Sequence, residues 1–264
     1  MPPALSIHGG RIHGGRIHGG PDAQGVPLYD FSTNANACGP CPEALAAVQQ
    51  ADATRYPDPA YTRLREALGA FHAVAPDCIV LAASASECIH RFTALAAWQG
   101  ARLVSVPRHG YGDYAQAAQA RGLAVVHDAA APAGLQWACE PASPLGGVDL
   151  QRARWALKSE APGTPGAASA HPLRVLDCAY APLRLDGTLW PERVPGVWQL
   201  WTPNKALGLT GVRAAYAIAP HAEAAHRLAA LAPSWPLGAH GVALLAAWVQ
   251  PSVQRWLADC LPRL

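Results

Sequence analysis

Lysine is almost absent from this chain of 264 residues, in which only Lys158 and Lys205 carry a side-chain amine. Charged residues make up 14% of the sequence and the formal net charge is +2, so no nucleic-acid partner or membrane-binding basic face is predicted. No uninterrupted apolar stretch approaches the ~20 residues that a membrane-spanning helix needs, and the N-terminus has no apolar signal-peptide core. We therefore expect a cytoplasmic protein without nucleic-acid or membrane partners.

The seven cysteines are odd in number and scattered, which favours reduced thiols over a disulfide framework. Two of them form Cys38-Gly39-Pro40-Cys41, a spacing typical of thioredoxin-type redox sites. Such a site follows a buried strand, whereas residues 31–37 are mostly polar and rich in asparagine. Redox activity is therefore the weaker of the possible functions, but it belongs to a different class and stays open.

Residues 7–20 carry three copies of Ile-His-Gly-Gly separated by arginines. One interpretation is a histidine-rich arm that binds a metal or a phosphate. The other is a duplicated loop of which at most one copy is used, and this interpretation, which we favour, predicts no metal site.

Beyond Pro42 the sequence alternates between helical patterns and short apolar runs. Helices are predicted over residues 42–51, 61–72, 86–98, 112–121, 148–158, 221–232 and 238–262, and strands over 78–81, 103–106, 123–126, 173–177, 197–201 and 213–218. Residues 160–172, rich in proline, glycine and alanine, are predicted to form a surface loop. The alternation predicts an α/β fold with a mainly parallel sheet covered on both faces. Functional groups in such sheets gather at the carboxyl ends of the strands.

Three of the segments that follow predicted strands could contact a ligand. Residues 82–87 (Ala-Ala-Ser-Ala-Ser-Glu) would present backbone N–H groups to an anion at the start of a helix. Tyr111, between two glycines, could lie flat against a planar ligand. Asp177 ends a buried strand, where an acid is costly unless it pairs with a cation such as a protonated pyridine nitrogen. Each also has an ordinary structural explanation, as a helix cap, a core aromatic residue or a surface ion pair.

The fourth segment contains Lys205, in the apolar and glycine-spaced stretch 201–213. Burial lowers the pKa of an amine and makes it a better nucleophile toward a carbonyl. Arg213 follows the lysine and could hold a phosphate through two hydrogen bonds. The alternative is an ordinary connection between strands with an exposed lysine. Lys158, by contrast, lies in a polar helical stretch.

The order of these segments resembles that of the fold-type-I pyridoxal-phosphate enzymes, in the aminotransferase class I/II group. Residues 18–20 (His-Gly-Gly), 30–36 (Asp-Phe-Ser-Thr-Asn-Ala-Asn) and 55–59 (Arg-Tyr-Pro-Asp-Pro) are similar to those of threonine-phosphate decarboxylases of cobalamin biosynthesis and their relatives, the histidinol-phosphate aminotransferases. The resemblance runs from about residue 18 to the C-terminus and implies a three-layer fold of the aspartate aminotransferase type. It implies an N-terminal arm at 1–36, a cofactor-binding large domain at 37–220, and interdomain helices with the start of an incomplete small domain at 221–264.

The resemblance also implies a role for individual residues. Lys205 would anchor pyridoxal 5'-phosphate covalently, Asp177 would pair with its pyridinium nitrogen, and Tyr180 would hydrogen-bond its ring 3-oxygen; these three are the implied catalytic residues. The other implied cofactor contacts are Tyr111 stacked on the ring, Ser143 in place of a ring-contacting asparagine, Ser84, Ala85, Ser86, Thr202 and Arg213 around the phosphate, and Tyr56 reaching the phosphate of a neighbouring subunit in a homodimer. The implied substrate contacts are Asn36 and His18, with His8 and His13 as the other histidines of the repeat.

The implied reaction is pyridoxal-phosphate-dependent decarboxylation of a small phosphorylated amino acid, L-threonine O-3-phosphate, to (R)-1-aminopropan-2-yl phosphate. A histidinol-phosphate-type aminotransferase and an inactive relative that serves as a binding or scaffold protein are the alternatives. The chain ends at Leu264, in or just after the helix that precedes the small domain of the family. We therefore expect the small domain to be truncated and its carboxylate-binding arginine to be missing, which would weaken the hold on substrate.

Overall fold

The structure is a computed structural model that describes residues 7–8, 11–13, 16–18, 20, 21, 23, 25, 26, 29, 30, 32–159, 172–187 and 193–264. For residues 7–8, 11–13, 16–18, 29 and 156–159 the description is of the backbone alone. The chain divides into two compact units, Met1–Ala35 and Asn36–Leu264. No helix in the described part of the chain is long and apolar enough to cross a membrane.

The first unit contains short paired strands formed by the Ile-His-Gly-Gly repeat. Strand β1 (Ile7–His8) pairs in parallel with β4 (Tyr29–Asp30). Strands β2 (Arg11–His13) and β3 (Arg16–His18) pair antiparallel, so that two copies of the repeat lie side by side. The side chain of His18, an implied substrate contact, lies outside the described residues.

The second unit alternates strands and helices, as the sequence pattern predicts. Its strands are β5 (Ile79–Ala82), β6 (Leu103–Ser105), β7 (Ala124–Val126), β8 (Leu135–Cys139), β9 (Leu173–Asp177), β10 (Val197–Trp201) and β11 (Ala215–Ile218). Its helices are α1 (Pro42–Gln49), α2 (Thr62–His72), α3 (Ala85–Trp98), α4 (Gly112–Gln119), α5 (Leu150–Ser159), α6 (Ala222–Ala229), α7 (Ala239–Trp248) and α8 (Pro251–Cys260).

These seven strands form one sheet in the order β5-β11-β10-β9-β8-β6-β7. Strand β11 is antiparallel to both of its neighbours, and the other pairs are parallel. Alternate residues of β5 point to opposite faces, so Ile79 joins a core with α1, α2 and α7, while Val80 joins a core with α3 and α4. The predicted α/β fold with a mainly parallel, doubly covered sheet is confirmed.

Two predictions of individual elements are wrong. No strand is predicted over residues 135–139, yet β8 is buried throughout and central to the sheet. Its polar residue Gln136 interrupts the apolar pattern, but its Oε1 accepts a hydrogen bond from the Trp155 indole N–H at 3.0 Å. The single helix predicted over 238–262 is two helices, because Pro251 has no N–H to continue the first and begins the second. Most of the predicted loop at 160–172 lies outside the described residues.

A largely buried histidine ends α2. The imidazole of His72 packs edge-on against Phe71 and lies 5.0 Å, centroid to centroid, from the Trp201 ring. Its Nε2 is 2.7 Å from the hydroxyl oxygen of Tyr216. Burial lowers the pKa of His72 to about 4, and the nearby charge of Arg193 lowers it further.

This histidine should make the protein sensitive to acid. The unfolded chain binds a proton on His72 below its ordinary pKa of 6.5, whereas the folded protein does so only near pH 4. The contribution of His72 to stability is therefore level above pH 6.5 and falls between pH 6.5 and pH 4, by on the order of 3 kcal/mol in all. Urea unfolding of His72→Gln should show a smaller fall over this range than the parent. The control is His240→Gln, which removes an exposed histidine, and an equal fall in His72→Gln and the parent would contradict the prediction.

Candidate active site

The candidate site is built at the carboxyl ends of adjacent parallel strands. Asp177 is the last residue of β9, and its register places it opposite Leu200 of β10 and Cys139 of β8. Tyr180 lies in the turn after β9, and Lys205 lies in the turn after β10. Because β8, β9 and β10 are neighbours in the sheet, the fold brings the predicted acid, phenol and amine to one edge.

The carboxyl group of Asp177 is buried, with 4% of the residue exposed. Its Oδ2 accepts a hydrogen bond from the Tyr114 hydroxyl at 2.6 Å, and its Oδ1 accepts one from the Ala179 N–H at 2.9 Å. Burial raises the pKa of Asp177, and the two hydrogen bonds and the charge of Lys205 act against that rise. The site thus holds a buried acid with two donors that favour its charged form.

Lys205 is mostly buried and faces an aromatic ring. Its Nζ lies 4.5 Å from the centroid of the Tyr180 ring, within the range of a cation–π contact. Burial lowers the pKa of Lys205; the negative charge of Asp177 opposes that effect, and the positive charge of Arg213 adds to it. A lowered pKa leaves more of the amine in the neutral form, which is the form that attacks a carbonyl carbon.

Tyr180 is half-buried beside the lysine. Burial raises its pKa to about 12, and the negative charge of Asp177 contributes to the rise. A hydrogen bond with Ser143, from the loop after β8, acts in the opposite direction. At neutral pH Tyr180 therefore keeps its proton and can donate a hydrogen bond. The structure brings Ser143 and Tyr180 together, as the implied contacts with one ring oxygen require.

Asn36 holds the backbone of the lysine turn. Its N–H donates to the carbonyl of Lys205 at 2.9 Å, and its Nδ2 donates to the carbonyl of Ala206 at 2.9 Å. Its Oδ1 accepts a hydrogen bond from the N–H of Cys38 at 2.8 Å. Both ends of the side-chain amide are thus bonded to backbone groups, which is a structural role that the sequence did not indicate. The implied contact of Asn36 with substrate stays a prediction.

The segment with two cysteines packs against the same turn. The N–H of Cys41 donates to the carbonyl of Leu207 at 2.8 Å. Gly39 and Gly208 approach so closely that a Cβ built on either would lie 2.9 Å from the Cα of the other. Cys41 is buried, and the described residues 32–37 before the motif form no strand. The surroundings therefore favour a supporting role for this segment over a thioredoxin-type site.

The start of α3 offers hydrogen-bond donors to an anion. Ser84 caps the helix with its hydroxyl, and the N–H groups of Ala85 and Ser86 have no acceptor among the residues that the structure describes. The hydroxyls of Ser86 and Tyr111 lie 3.0 Å apart. The groups at the start of α3 that are predicted to contact the cofactor phosphate therefore lie close to Tyr111, which is predicted to stack on the cofactor ring.

Two further residues predicted to contact a phosphate differ in their surroundings. Thr202 is buried, with its Oγ1 2.9 Å from the carbonyl oxygen of Ala214. Arg213 is exposed and has no ion-pair partner within the described ranges. Its charge lowers the pKa of both Lys205 and Tyr111, so the guanidinium lies near both. Arg213 is thus a cation near the site that has no ion pair with any residue in the described part of the chain.

Tyr56 lies on the surface, away from the other predicted residues. It is 78% exposed and stacks on Trp235, with the ring centroids 4.6 Å apart and the planes at 28°. The Trp235 indole N–H donates to the carbonyl of Pro57 at 3.0 Å and orients the pair. Within its own chain Tyr56 makes no contact with the site described above, which leaves the implied role across a subunit boundary as a prediction.

Sequence reasoning missed one buried residue of this site. Tyr114 lies one helical turn after Tyr111 and donates the hydrogen bond to Asp177. The signal that could have indicated it is the spacing of two tyrosines on one face of a predicted helix that follows a strand.

The comparisons with known proteins agree with this architecture. The family model described as aminotransferase class I and II matches residues 26–165, more than half of the chain. The chain belongs to this family. A histidinol-phosphate aminotransferase from Ruegeria pomeroyi is 30% identical over 259 residues, covering 88% of this chain and 67% of that protein.

Solved structures of other proteins share the fold. Histidinol-phosphate aminotransferase from Sinorhizobium meliloti, in complex with pyridoxal-5'-phosphate, aligns with a TM-score of 0.68 at 21% identity and covers 87% of this chain and 65% of that chain. L-threonine-O-3-phosphate decarboxylase from Porphyromonas gingivalis aligns with a TM-score of 0.67 at 18% identity and covers 85% of this chain and 70% of that chain. The predicted aspartate aminotransferase-type fold is confirmed.

The chain spans 60 to 67% of the length of three histidinol-phosphate aminotransferases that it matches. The family match ends at residue 165, ahead of Asp177 and Lys205. The roles of these two residues therefore rest on the geometry at the strand ends.

Proposed function

We propose that the chain binds pyridoxal 5'-phosphate with Lys205 as its covalent anchor and acts on a small phosphorylated amino compound. The observation that carries the proposal is the position of Lys205. A buried amine lies over the Tyr180 ring, beside the buried carboxyl of Asp177, in a chain with only two lysines. A buried acid and a largely buried amine whose pKa values are both shifted, together at the carboxyl ends of strands, point to a functional site.

The residues present fit the cofactor. Asp177 would pair with the ring nitrogen, Tyr180 and Ser143 would hydrogen-bond the ring oxygen, and Tyr111 would stack on the ring. The N–H groups of Ala85 and Ser86, the hydroxyl of Ser84 and the guanidinium of Arg213 would hold the phosphate. Thr202 would join them only if its hydroxyl proton turned away from the carbonyl of Ala214. When bound, the cofactor supplies an electron-withdrawing ring that stabilises negative charge on the substrate's alpha carbon.

The protein's own groups would divide the remaining work. Asp177 would be the anion of the site, since its two hydrogen-bond donors favour the charged form against the effect of burial. Tyr180 keeps its proton and donates a hydrogen bond. The amine of Lys205, whose pKa is lowered by burial, can accept a proton from the alpha carbon and return it elsewhere. Transamination requires a group that removes the alpha-carbon proton, whereas decarboxylation requires only that a proton be delivered to that carbon after carbon dioxide has left.

Transamination of the histidinol-phosphate type is the reaction that we put first. The sequence relatives that cover most of this chain are named histidinol-phosphate aminotransferases. Decarboxylation of L-threonine O-3-phosphate is the second candidate, supported by the resemblance of residues 18–20, 30–36 and 55–59.

The proposed unit is a homodimer in which the exposed Tyr56 reaches the neighbouring site, and a monomeric mass in analytical ultracentrifugation would contradict it.

Two assays on the cofactor-loaded protein distinguish these reactions. Histidinol phosphate with a 2-oxo acid should give the corresponding amino acid, while threonine phosphate should release little carbon dioxide. Carbon dioxide release without a 2-oxo acid would instead support the decarboxylase. Lys205→Ala is the control for both assays, because it removes the proposed anchor and proton acceptor. Bound cofactor with neither activity would support an inactive relative.

A further inference from the structure

The hydroxyl of Tyr114 contacts Asp177 from the side of α4. It donates to Oδ2 at 2.6 Å, a short distance typical of hydrogen bonds to a charged oxygen. Only 1% of Tyr114 is exposed, so no water can replace this donor without rearrangement of the core. The other carboxylate oxygen is fixed independently by the N–H of Ala179 at 2.9 Å. Together the two donors define the plane in which the carboxylate lies.

The ring that carries this hydroxyl is itself held rigidly. Tyr114 stacks on Trp137 with the centroids 4.7 Å apart and the planes at 14°, and Trp137 is fully buried. Phe92 packs edge-on against the Trp137 ring, with the two ring centroids 5.8 Å apart. A phenol stacked in this way cannot swing its hydroxyl off the carboxylate, so the direction of the donor is set by the core of the large sheet.

Several titratable groups surround the Asp177 carboxyl. Those whose charge acts on it or responds to it are Tyr114 on α4, Cys88 on α3, Cys139 on β8, Cys178 and Tyr180 after β9, and Lys205 after β10. Burial and the negative charge of Asp177 raise the pKa of Tyr114 well above its ordinary value, so it stays a proton donor at neutral pH. Its hydrogen bond lowers the pKa of Asp177 and opposes the effect of burial.

We propose that Tyr114 is a positioning residue that fixes the orientation of the Asp177 carboxylate and keeps it charged, and thereby sets the affinity of the site for a cationic nitrogen heterocycle. The inference rests on the proposed function, in which Asp177 pairs with a protonated ring nitrogen. It identifies the Tyr114 hydroxyl as a group that favours the charged form of Asp177. Without the phenol, a carboxyl group buried to this depth would take up a proton more readily and would then be a poor partner for a cation.

The experiment measures binding of pyridoxamine 5'-phosphate to the purified protein freed of cofactor. This ligand has the ring nitrogen and the phosphate but no carbonyl group, so its binding does not depend on covalent attachment to Lys205. Tyr114→Phe should raise Kd about tenfold, because one hydrogen bond to a charged group is lost. In an Asp177→Asn background, the same change should alter Kd less than about twofold, since the charge on which Tyr114 acts is gone.

The matched control is Tyr61→Phe. Tyr61 is also a buried tyrosine and lies just before α2; its hydroxyl donates to the carbonyl of Leu237 at 2.7 Å and accepts from the N–H of Leu237 at 3.1 Å. Its replacement removes hydrogen bonds of a buried hydroxyl that does not contact Asp177, and should leave Kd for pyridoxamine phosphate within about twofold. An unchanged Kd in Tyr114→Phe, or an equal loss in both backgrounds, would overturn the inference.

A second measurement needs no cofactor. A carbon-13 NMR titration of the Asp177 carboxyl should move its midpoint to higher pH in Tyr114→Phe and leave it in place in Tyr61→Phe. An unmoved midpoint in Tyr114→Phe would refute the inference even if no ligand binds. If the parent protein binds neither pyridoxal phosphate nor pyridoxamine phosphate, the proposed function fails. If the parent binds both and Tyr114→Phe matches it, only the role of Tyr114 fails.

Discussion

Replacing Lys205 with alanine should abolish covalent attachment of pyridoxal phosphate, whereas Lys158→Ala should leave attachment intact. Only an amine can bond to the cofactor's aldehyde carbon, and the chain offers two lysine side chains. Lys205 is mostly buried, and burial lowers its pKa, which favours the neutral form that attacks a carbonyl. Lys158 lies near the end of α5, in a stretch that the sequence shows to be polar.

Borohydride treatment followed by peptide mass spectrometry checks this directly. We expect one adduct in the parent, on the peptide that contains Lys205, and none in Lys205→Ala. Noncovalent binding should persist in the variant, because Asp177 and the groups at the start of α3 are unchanged. The readout must therefore be the adduct rather than total bound cofactor. An adduct on the Lys158 peptide of the parent would remove the central residue of the proposed function.

Gly208→Ala should destabilise the protein and disturb the lysine turn. Gly208 has a φ of +66°, a conformation that disfavours an L side chain, and a Cβ there would lie 2.9 Å from the Cα of Gly39 and 3.2 Å from the Cα of Pro40. The atoms that this Cβ would meet belong to the backbone of residues 39 and 40, which cannot move aside as a flexible side chain does. We expect a loss of roughly 2–4 kcal/mol in the free energy of unfolding. Because the N–H of Gly208 donates to the carbonyl of Lys205 at 3.2 Å, cofactor attachment should slow as well.

Gly211→Ala is the matched control for this variant. It lies three residues further along the same loop, and a Cβ built on Gly211 meets no atom within 4 Å. Urea unfolding of both variants and the parent measures the difference. Equal stability of Gly208→Ala and Gly211→Ala would show that the close approach of Gly39 and Gly208 does not hold the turn in place.

The alternation of elements and the kind of chemistry could be predicted from the sequence. Asp177 ends a run of apolar residues, and Lys205 follows the next such run along the chain. Parallel strands place their carboxyl ends at one edge, so the order of these runs alone is enough to predict that the acid and the amine meet. This prediction holds although it omits β8. Strand β8 lies beside β9 in the sheet and does not change the edge at which the loops after β9 and β10 lie.

The arrangement around those two residues was decided by tertiary structure. The hydrogen bond from Tyr114 to Asp177 joins residues 63 positions apart in the sequence, and the hydrogen bond from Asn36 to Ala206 joins residues 170 positions apart. Periodicity reports only whether a side chain is buried, and it cannot say which buried partner a hydroxyl or an amide will find. The sequence by itself determined that this chain carries a lysine and an acid at the ends of strands. Packing of α4 and of the Asn36 turn against the sheet decided how each is held, because directional hydrogen bonds in a buried site depend on the whole surrounding core.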